Sequence, residues 1–233
     1  MAQSDVMSSF WRGMRHGVPF ILVVGPFALL FGVIAAEAGL HVTEALAFSV
    51  VVIAGAAQFT ALQLMGENAP TWVVLLSALA VNLRMVMYSA SLTPHLGGIA
   101  LWKRGLVAYF LVDQAYAVSI LEYERDPDAS PAVKFAYFIG VVLPIVPFWY
   151  GLTAAGALVG AAIPPELGLD FALPIAFIAM IAPALRTNAH RAAATVSVIL
   201  VLCLTWIPFN LGLIIAALGG MATGAEIERR YGL

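Results

Sequence analysis

Long apolar stretches separated by short polar loops make up most of this chain. A membrane-spanning helix needs about 20 apolar residues, because each residue adds only about 1.5 Å of length. By this criterion the pattern contains about seven segments that are long enough, or nearly so. They lie at residues 18–36, 45–65, 72–94, 105–121, 135–162, 171–185 and 192–218. The pattern therefore predicts an all-α polytopic membrane protein.

Several of these segments contain residues that interrupt helices. They are Gly25-Pro26, Gly55-Ala56-Ala57-Gln58, Pro144, Pro147, Pro174, Pro183, Pro208 and Asn210. Proline removes a backbone hydrogen bond, and in lipid the freed groups must be satisfied by protein or by a wet cavity. We therefore expect at least two segments, above all 45–65 and 171–185, to be broken or re-entrant and to face the protein interior. At any single proline an ordinary packing kink is the alternative.

A weak internal repeat connects the two parts of the chain. Glu37-Ala-Gly39-Leu40, followed by Ala47-Phe48, recurs as Glu166-Leu-Gly168-Leu169, followed by Ala176-Phe177. Each copy lies in a short polar loop that leads into an interrupted segment. Transporters are often built from inverted repeats with broken helices in matching positions. We therefore predict one transmembrane transporter domain over residues 1–233, with repeat halves at about 18–95 and 135–218.

Composition narrows the possible functions. The chain is 62% hydrophobic and 10% charged, against about 25% charged in soluble domains, and its net charge of −2 argues against nucleic acid as a partner. No phosphate-binding, metalloprotease or nucleophile motif is present, so we expect neither an enzyme nor a metal or cofactor site. A hydrolase built on Ser91 and His95 is conceivable on one helix face but has no third orienting group.

Positive charge in the loops gives no single orientation. Arg12 and Arg15 favour a cytoplasmic N-terminus. Seven full spans would place the loop of Lys103 and Arg104 outside. If segments two and six re-enter instead, that loop becomes cytoplasmic and the acidic loop 122–128 faces out. Both arrangements have the same number of Lys and Arg residues on each side, so the choice stays open.

Two charges lie in the middle of apolar segments. Arg84 lies in 72–94 and Asp113 lies in 105–121. A charge at the centre of a bilayer costs about 2.5–3.5 kcal/mol on insertion scales, so such residues usually serve a purpose. Arginine presents a planar fork that suits a carboxylate, either that of Asp113 or that of a substrate. Both a structural ion pair and a substrate contact are therefore open, and Asp113 is a candidate proton carrier.

Uncharged polar residues complete the candidate site. Tyr88 follows Arg84 by four residues and shares its helix face. Gln58 follows three small residues, where either helix packing or solute binding would use its amide. Asn82 is a weaker candidate, because asparagine in membrane helices usually supports packing. We predict that Gln58, Asn82, Arg84 and Tyr88 bind substrate.

Together the motifs resemble those of a known family. They are Arg12-Gly13 to Pro19-Phe20; Pro26-Phe27 to Phe31-Gly32; Ala54-Gly55-Ala56-Ala57-Gln58-Phe59; Asn82-Leu83-Arg84 with Tyr88-Ser89-Ala90-Ser91-Leu92; and Gly168-Leu169-Asp170-Phe171-Ala172-Leu173-Pro174. Over about residues 8–225 the chain resembles the AzlC family of branched-chain amino acid exporters, also called the BrnF or LIV-E large subunit. Two positions depart from the family pattern: Met85 stands where histidine is common, and Gln114 where glutamate is common.

The resemblance implies a function that composition does not. It implies a bacterial inner-membrane permease that exports leucine, isoleucine and valine, and methionine as a further candidate. It also implies proton-linked secondary transport with a small AzlD-type membrane subunit. Since the usual second acid is absent at Gln114, Asp113 is the stronger coupling candidate. The alternatives are a channel or facilitator for another small polar or anionic solute, and a non-transporting scaffold subunit whose charge pair is structural.

Overall fold

A computed structural model describes residues 2–160, 185, 187–207 and 211–231. We number the helices in chain order. They are α1 (Ala2–Gly17), α2 (Ile21–Glu37), α3 (Val42–Val51), α4 (Gly55–Gly66), α5 (Thr71–Leu96), α6 (Leu101–Tyr109), α7 (Asp113–Arg125), α8 (Pro131–Gly160), α9 (Asn188–Cys203) and α10 (Leu211–Tyr231), with a 3-10 turn at Val18–Phe20 between α1 and α2. The described residues contain no strand, so the predicted all-α class is confirmed.

Four helical stretches in the described part of the chain are long and apolar enough to cross a membrane. They are Asp5–Glu37, Thr71–Leu96, Pro131–Gly160 and Leu211–Arg230. On α5 the side chains of Leu83, Val86 and Met87 are about two-thirds exposed, at 63%, 64% and 65%. Exposed apolar side chains on such a helix are suited to lipid, which confirms a multi-pass membrane protein.

The described residues form two compact units. The smaller unit holds residues 64–80 and those described after 160, and within it α9 packs against α10. A Cβ added at Gly220 would overlap the side chain of Ser197, so these helices touch with almost no side chain between them. The Ser197 hydroxyl also donates to the Ala216 carbonyl at 3.2 Å. The predicted segment 192–218 is thus interrupted after Cys203; Pro208 and Asn210 lie outside the described residues.

The larger unit, residues 2–63 and 81–160, is built around a close parallel pair of helices. The stretch α1–α2 runs parallel to α8, because the contacts advance along both segments together. Gly13 faces Tyr137, Gly17 faces Val141 and Gly32 faces Thr153. A Cβ at any of these glycines would overlap a carbonyl oxygen of α8. Glycine therefore lets the two backbones approach directly, as is common between membrane helices.

Three prolines lie inside continuous helices. Helix α2 continues through Gly25-Pro26, and α8 continues through Pro144 and Pro147 for 30 residues. At these places the alternative that the sequence left open, an ordinary packing position within one helix, holds. Proline removes one hydrogen bond, and the tight packing of α2 on α8 holds the remaining helix together.

Segment 45–65 is broken at residues 52–54, and its two arms turn back on each other. Phe48 of α3 and Phe59 of α4 both contact the ring of Phe31, with centroids 5.8 and 5.5 Å away. A straight continuation would separate the two phenylalanines by about 20 Å along the helix axis. The Gln58 amide also donates to Ser49 across the arms at 3.0 Å. Helices α3 and α4 are therefore a re-entrant hairpin, one of the two arrangements considered for this segment.

Segment 105–121 forms a second hairpin that the sequence pattern did not predict. It breaks at residues 110–112, between α6 and α7. Lys103 of α6 lies 5.1 Å from the ring of Phe135, and Tyr123 of α7 donates to the Lys134 carbonyl at 2.8 Å. A straight segment would hold Lys103 and Tyr123 about 35 Å apart. Both outer ends instead meet the first turns of α8.

The two hairpins enter the larger unit from opposite ends and meet at their tips. Helix α3 starts near the end of α2, whereas α6 starts near the beginning of α8, which runs parallel to α2. At the tips the Tyr109 hydroxyl donates to the Val50 carbonyl at 2.6 Å and lies 3.2 Å from the Tyr150 hydroxyl. Tyr109 thus satisfies a carbonyl that the end of α3 leaves without a helical partner.

The second hairpin corrects both orientations considered from the sequence. Because α7 returns to the side from which α6 entered, the acidic loop stays at the end of the unit that holds the N-terminus. The Arg12–Glu122 ion pair of 2.9 Å joins these two segments directly. Loop 122–128 therefore lies at the same end of the unit as the N-terminus. The other segment expected to be re-entrant, 171–185, lies outside the described residues apart from Leu185.

Candidate functional site

Arg84 and Asp113 form a partly exposed ion pair between α5 and α7. Arg84 Nη2 lies 3.1 Å from Asp113 Oδ2. Arg84 lies near the middle of α5, and Asp113 is the first residue of α7, immediately after the tip of the second hairpin. The fold therefore brings together two charges that lie 29 positions apart in sequence, and the structural pair considered from the sequence is present.

The position of Asp113 at the start of a helix supplies further stabilisation. The first turn of α7 leaves backbone N–H groups without helical partners, and its dipole favours negative charge. Tyr88 donates its hydroxyl to Asp113 Oδ1 at 3.1 Å, so each carboxylate oxygen has its own side-chain partner. The spacing of Arg84 and Tyr88 on one face of α5 makes this two-point contact possible.

The ion pair is partly open rather than sealed. The exposed fractions are 30% for the Arg84 side chain and 40% for Asp113, whereas the buried Arg84 Nε has no hydrogen-bond partner among the described residues. Met85, next to Arg84 in sequence, and Phe110, three residues before Asp113, pack against the apolar core. A partly exposed charged pair with apolar side chains nearby in sequence has the chemistry to bind a small amphiphilic ion.

Aromatic stacking extends this site along α5 and α7. The rings of Tyr88 and Tyr116 are stacked, with centroids 4.1 Å apart and planes 10° from parallel. The Tyr116 hydroxyl donates to Ser91 Oγ at 3.1 Å. Tyr116 was not among the sequence-predicted site residues, and Ser91 entered the sequence analysis only as a weak candidate. A period of three to four residues from Arg84 through Tyr88 to Ser91 is the signal that could have identified Ser91.

Gln58 belongs to a different place in the unit. It lies in the first turn of α4, is fully buried and donates to Ser49. Its Oε1 atom has no partner among the described residues. A Cβ at Gly55, one turn earlier, would lie 3.0 Å from the Trp149 ring, whose Nε1 is also unpartnered. The structure thus places Gln58 at the first hairpin tip, and no observed contact joins it to Arg84.

Asn82 does not share the face of Arg84. Two residues along a helix correspond to a rotation of about 200°, so the two side chains point in different directions. The Oδ1 atom of Asn82 is buried and has no hydrogen-bond partner within the described ranges. Of the five predicted site residues, the structure brings together Arg84, Tyr88 and Asp113. It places Gln58 and Asn82 elsewhere, and no contact assigns either one a substrate role.

The break before Asp113 is the feature that sequence reasoning missed. Tyr109-Phe110-Leu111-Val112 is uniformly apolar and contains neither glycine nor proline. The acid itself was the available signal, since Asp is favoured in the first turn of a helix. In the apolar pattern alone, Asp113 is indistinguishable from a charge inside a continuous span.

In the described part of the chain, no group of three His, Cys, Asp or Glu side chains is placed to hold a metal ion. His95, which the sequence placed at a segment end, packs against Tyr123 with ring centroids 5.3 Å apart.

Comparisons with known proteins agree with a membrane protein. An uncharacterized membrane protein of Archaeoglobus fulgidus is 27% identical over 91% of this chain and 92% of its own length. The inner membrane protein YgaZ of Escherichia coli is 25% identical over 75% of this chain and 72% of its own length. An uncharacterized membrane protein of Helicobacter pylori is 25% identical over 86% of each chain. No solved structure matches this chain significantly.

The family model described as AzlC protein matches residues 19–163. This range is more than half of the chain and includes both hairpins and the Arg84–Asp113 pair. The chain therefore belongs to the AzlC protein family.

Proposed function

We propose that this protein is the permease subunit of a secondary transporter that exports branched-chain amino acids. The observation that supports this proposal best is the accessible Arg84–Asp113 pair with its Tyr88 contact at a helix break. Broken helices at substrate sites are common in secondary transporters. The substrate class comes from the family resemblance and agrees with the chemistry of the site.

A zwitterionic amino acid can replace the internal ion pair charge for charge. Its carboxylate would bind Arg84 and its ammonium group would bind Asp113. Each protein charge would then keep a partner, which avoids the large cost of an unpaired charge. Met85 and Phe110 would contact an apolar side chain such as that of leucine. In this proposal the substrate competes with an interaction that the empty protein already makes.

Proton coupling would follow from the same competition. A proton and the substrate ammonium group would compete for Asp113, because only the ionised carboxylate can pair with the ammonium group. We assign Asp113 as the coupling residue on this basis. A change of its protonation would alternate with substrate binding, which is the requirement for exchange of a proton against an amino acid.

The proposed location is the bacterial inner membrane, with the N-terminus in the cytoplasm. Basic side chains cluster at the end of the larger unit that contains the start of α8. They are Arg12, Arg15, Lys103, Arg104, Arg125 and Lys134. Residues 36–80, which include both loops of the first hairpin, contain no Lys or Arg. The positive-inside rule assigns the basic end to the cytoplasm.

A small AzlD-type membrane subunit is the proposed partner. Its assignment rests on the family resemblance, and the exposed apolar side chains of α5 give such a protein a surface to pack against as well as lipid. Export by this chain alone, at the same rate as with the second subunit, would contradict the assignment.

The site is tested by the exchange of labelled leucine in proteoliposomes that contain the purified protein with its partner. We expect Arg84→Ala to reduce exchange at least tenfold, since loss of a charged hydrogen-bond partner costs about 1.5–3 kcal/mol. Leu22→Ala is the control, because that side chain is 81% exposed on α2, away from the proposed partner surface on α5.

Exchange by Arg84→Ala at the wild-type rate would reject the site. A solute flux that never saturates would favour the channel alternative. Full activity of an Arg84→Met, Asp113→Leu double variant would favour the scaffold alternative, because no orphan charge remains in that variant.

A further inference from the structure

A second polar cluster lies at the cytoplasmic end of α5 in the proposed orientation. Lys134 is 6% exposed, and its Nζ donates to the Pro127 carbonyl at 2.6 Å and to His95 Nδ1 at 3.4 Å. The His95 ring packs against Tyr123, and Tyr123 donates to the Lys134 carbonyl at 2.8 Å. We call His95, Tyr123 and Lys134 the His95 cluster.

The buried lysine has an unusual set of partners. Buried lysines are normally paired with a carboxylate. Within the described ranges no carboxylate lies at ion-pair distance from Lys134 Nζ, which is held by a carbonyl and an imidazole. The ammonium group of Lys134 can only donate hydrogen bonds. His95 Nδ1 must therefore be the acceptor, and its lone pair points towards Lys134. Glu124 of α7 also acts on His95 electrostatically.

A line of hydroxyl groups leads from the ion pair to this cluster. Positions 84, 88, 91 and 95 follow one face of α5, and positions 113, 116, 119 and 123 follow one face of α7. The two helices run parallel, since Asp113 meets Tyr88, Tyr116 meets Ser91 and Tyr123 meets His95. The stacked rings of Tyr88 and Tyr116 connect the first two contacts.

The remaining position on α7 is a buried serine. Ser119 is fully buried, and its side chain lies within hydrogen-bonding reach of Tyr123. Ser119 lies one turn after Tyr116 and one turn before Tyr123, which is the gap between the two bonded groups. The apolar residues Leu92 and Leu96 are buried beside this face.

We propose that this line conducts the proton between Asp113 and the cytoplasm, with His95 as its outer exchange group. The inference rests on the proposed proton-coupled function and adds the route that the proton takes. Each tyrosine or serine hydroxyl accepts one proton and passes on another, so it ends unchanged. Bridging water makes the steps between the bonded groups. The net event transfers one proton from the Asp113 carboxyl to His95, and then from His95 to bulk water.

Histidine suits the outer position because it gains and loses protons near neutral pH. When His95 binds a proton at Nδ1, it can no longer accept from Lys134, and the two positive charges repel each other. Lys134 therefore favours prompt release of the proton to the solvent. The groups that face His95 are Lys134 from α8, and Tyr123 and Glu124 from α7.

The test separates proton transfer from substrate movement. In proteoliposomes, exchange of labelled leucine against unlabelled leucine needs no net proton transfer, whereas leucine transport driven by a pH gradient does. We expect His95→Gln and Ser119→Ala to reduce gradient-driven flux at least tenfold and to keep exchange within about twofold of wild type. Thr93→Val is the matched control on α5, because its hydroxyl bonds only to its own helix at the Ser89 carbonyl.

Two results would overturn the path. One is gradient-driven flux at the wild-type rate in both variants, and the other is an equal loss of exchange and gradient-driven flux in Ser119→Ala. Absence of leucine exchange by the wild-type protein would instead overturn the proposed function, and the path with it. A pH-sensitive dye inside the vesicles reports proton release directly and must follow the leucine flux in the wild type.

Discussion

At the scale of single residues, the central feature is that the two carboxylate oxygens of Asp113 have different side-chain partners. One oxygen contacts Arg84 and the other contacts Tyr88, and the first turn of α7 adds its dipole. The pair is partly exposed, so it is stabilised less by low dielectric than a sealed pair would be. The proposed substrate site requires this combination of pairing and exposure, because a sealed ion pair could not exchange its partners.

Asp113→Asn should lower the free energy of unfolding, because the neutral amide keeps the shape but leaves Arg84 without an anion. We expect a loss of about 1–2 kcal/mol, which is smaller than the 3–5 kcal/mol for a fully buried pair. The measurement is thermal unfolding in detergent. Arg84→Met with Asp113→Leu should restore stability while transport stays lost. The explanation fails if the double variant is no more stable than Asp113→Asn.

At the scale of the elements, glycine positions decide how the larger unit packs. Gly32 of α2 and Gly156 of α8 each lie against backbone of the other helix, where any Cβ would overlap an oxygen atom. Two backbones at this distance make many weak contacts that larger side chains would prevent. The same contact explains why α8 remains one helix through two prolines.

Gly156→Ala should destabilise the protein by about 1–3 kcal/mol, because its methyl group overlaps the Leu29 backbone and the two helices must separate. Gly151→Ala on the same helix is the control, since nothing lies within 4 Å of the added Cβ. There we expect a gain of up to about 1 kcal/mol from helix propensity. Thermal unfolding of both purified variants checks the difference, and equal effects would contradict the packing argument.

The sequence pattern predicted some of these elements well and others poorly. It identified α5 almost to the residue, because 72–94 is long, apolar and uninterrupted by glycine. It left a break or an ordinary packing kink open at Pro26, Pro144 and Pro147, because only the packing around a proline decides whether the helix continues through it. It missed the break at 110–112, because no residue there disfavours a helix and only the contacts with α8 bend the chain back.

At the scale of the whole molecule, the described part of the larger unit contains two hairpins that enter from opposite ends. Their tips meet where Tyr109 donates to the Val50 carbonyl. Asp113 follows one tip and Gln58 follows the other. This arrangement places helix ends, with their unpaired backbone groups, in the interior of the unit, where a polar solute can use them.

The second hairpin predicts which loops share a side of the membrane. Single cysteines at Lys103 and Asp128, in a Cys203→Ser background, should react with a membrane-impermeant thiol reagent from the same side. A cysteine at His41 should react from the opposite side. Labelling in oriented vesicles and in whole cells is the measurement. If Asp128 and His41 were labelled from one side, segment 105–121 would cross the membrane and the hairpin would be rejected.

The sequence by itself determined that this protein is an all-α membrane protein of the AzlC family. It also identified Arg84 and Asp113 as candidate functional residues, because each is a charge within an apolar segment. Hydrophobic length and the cost of buried charge are local properties that sequence records directly. The tertiary structure decided that segment 105–121 turns back, that Asp113 begins a helix, and that Tyr88, Tyr116 and Ser119 lie between it and His95. These features depend on contacts between residues distant in sequence, which no local pattern contains.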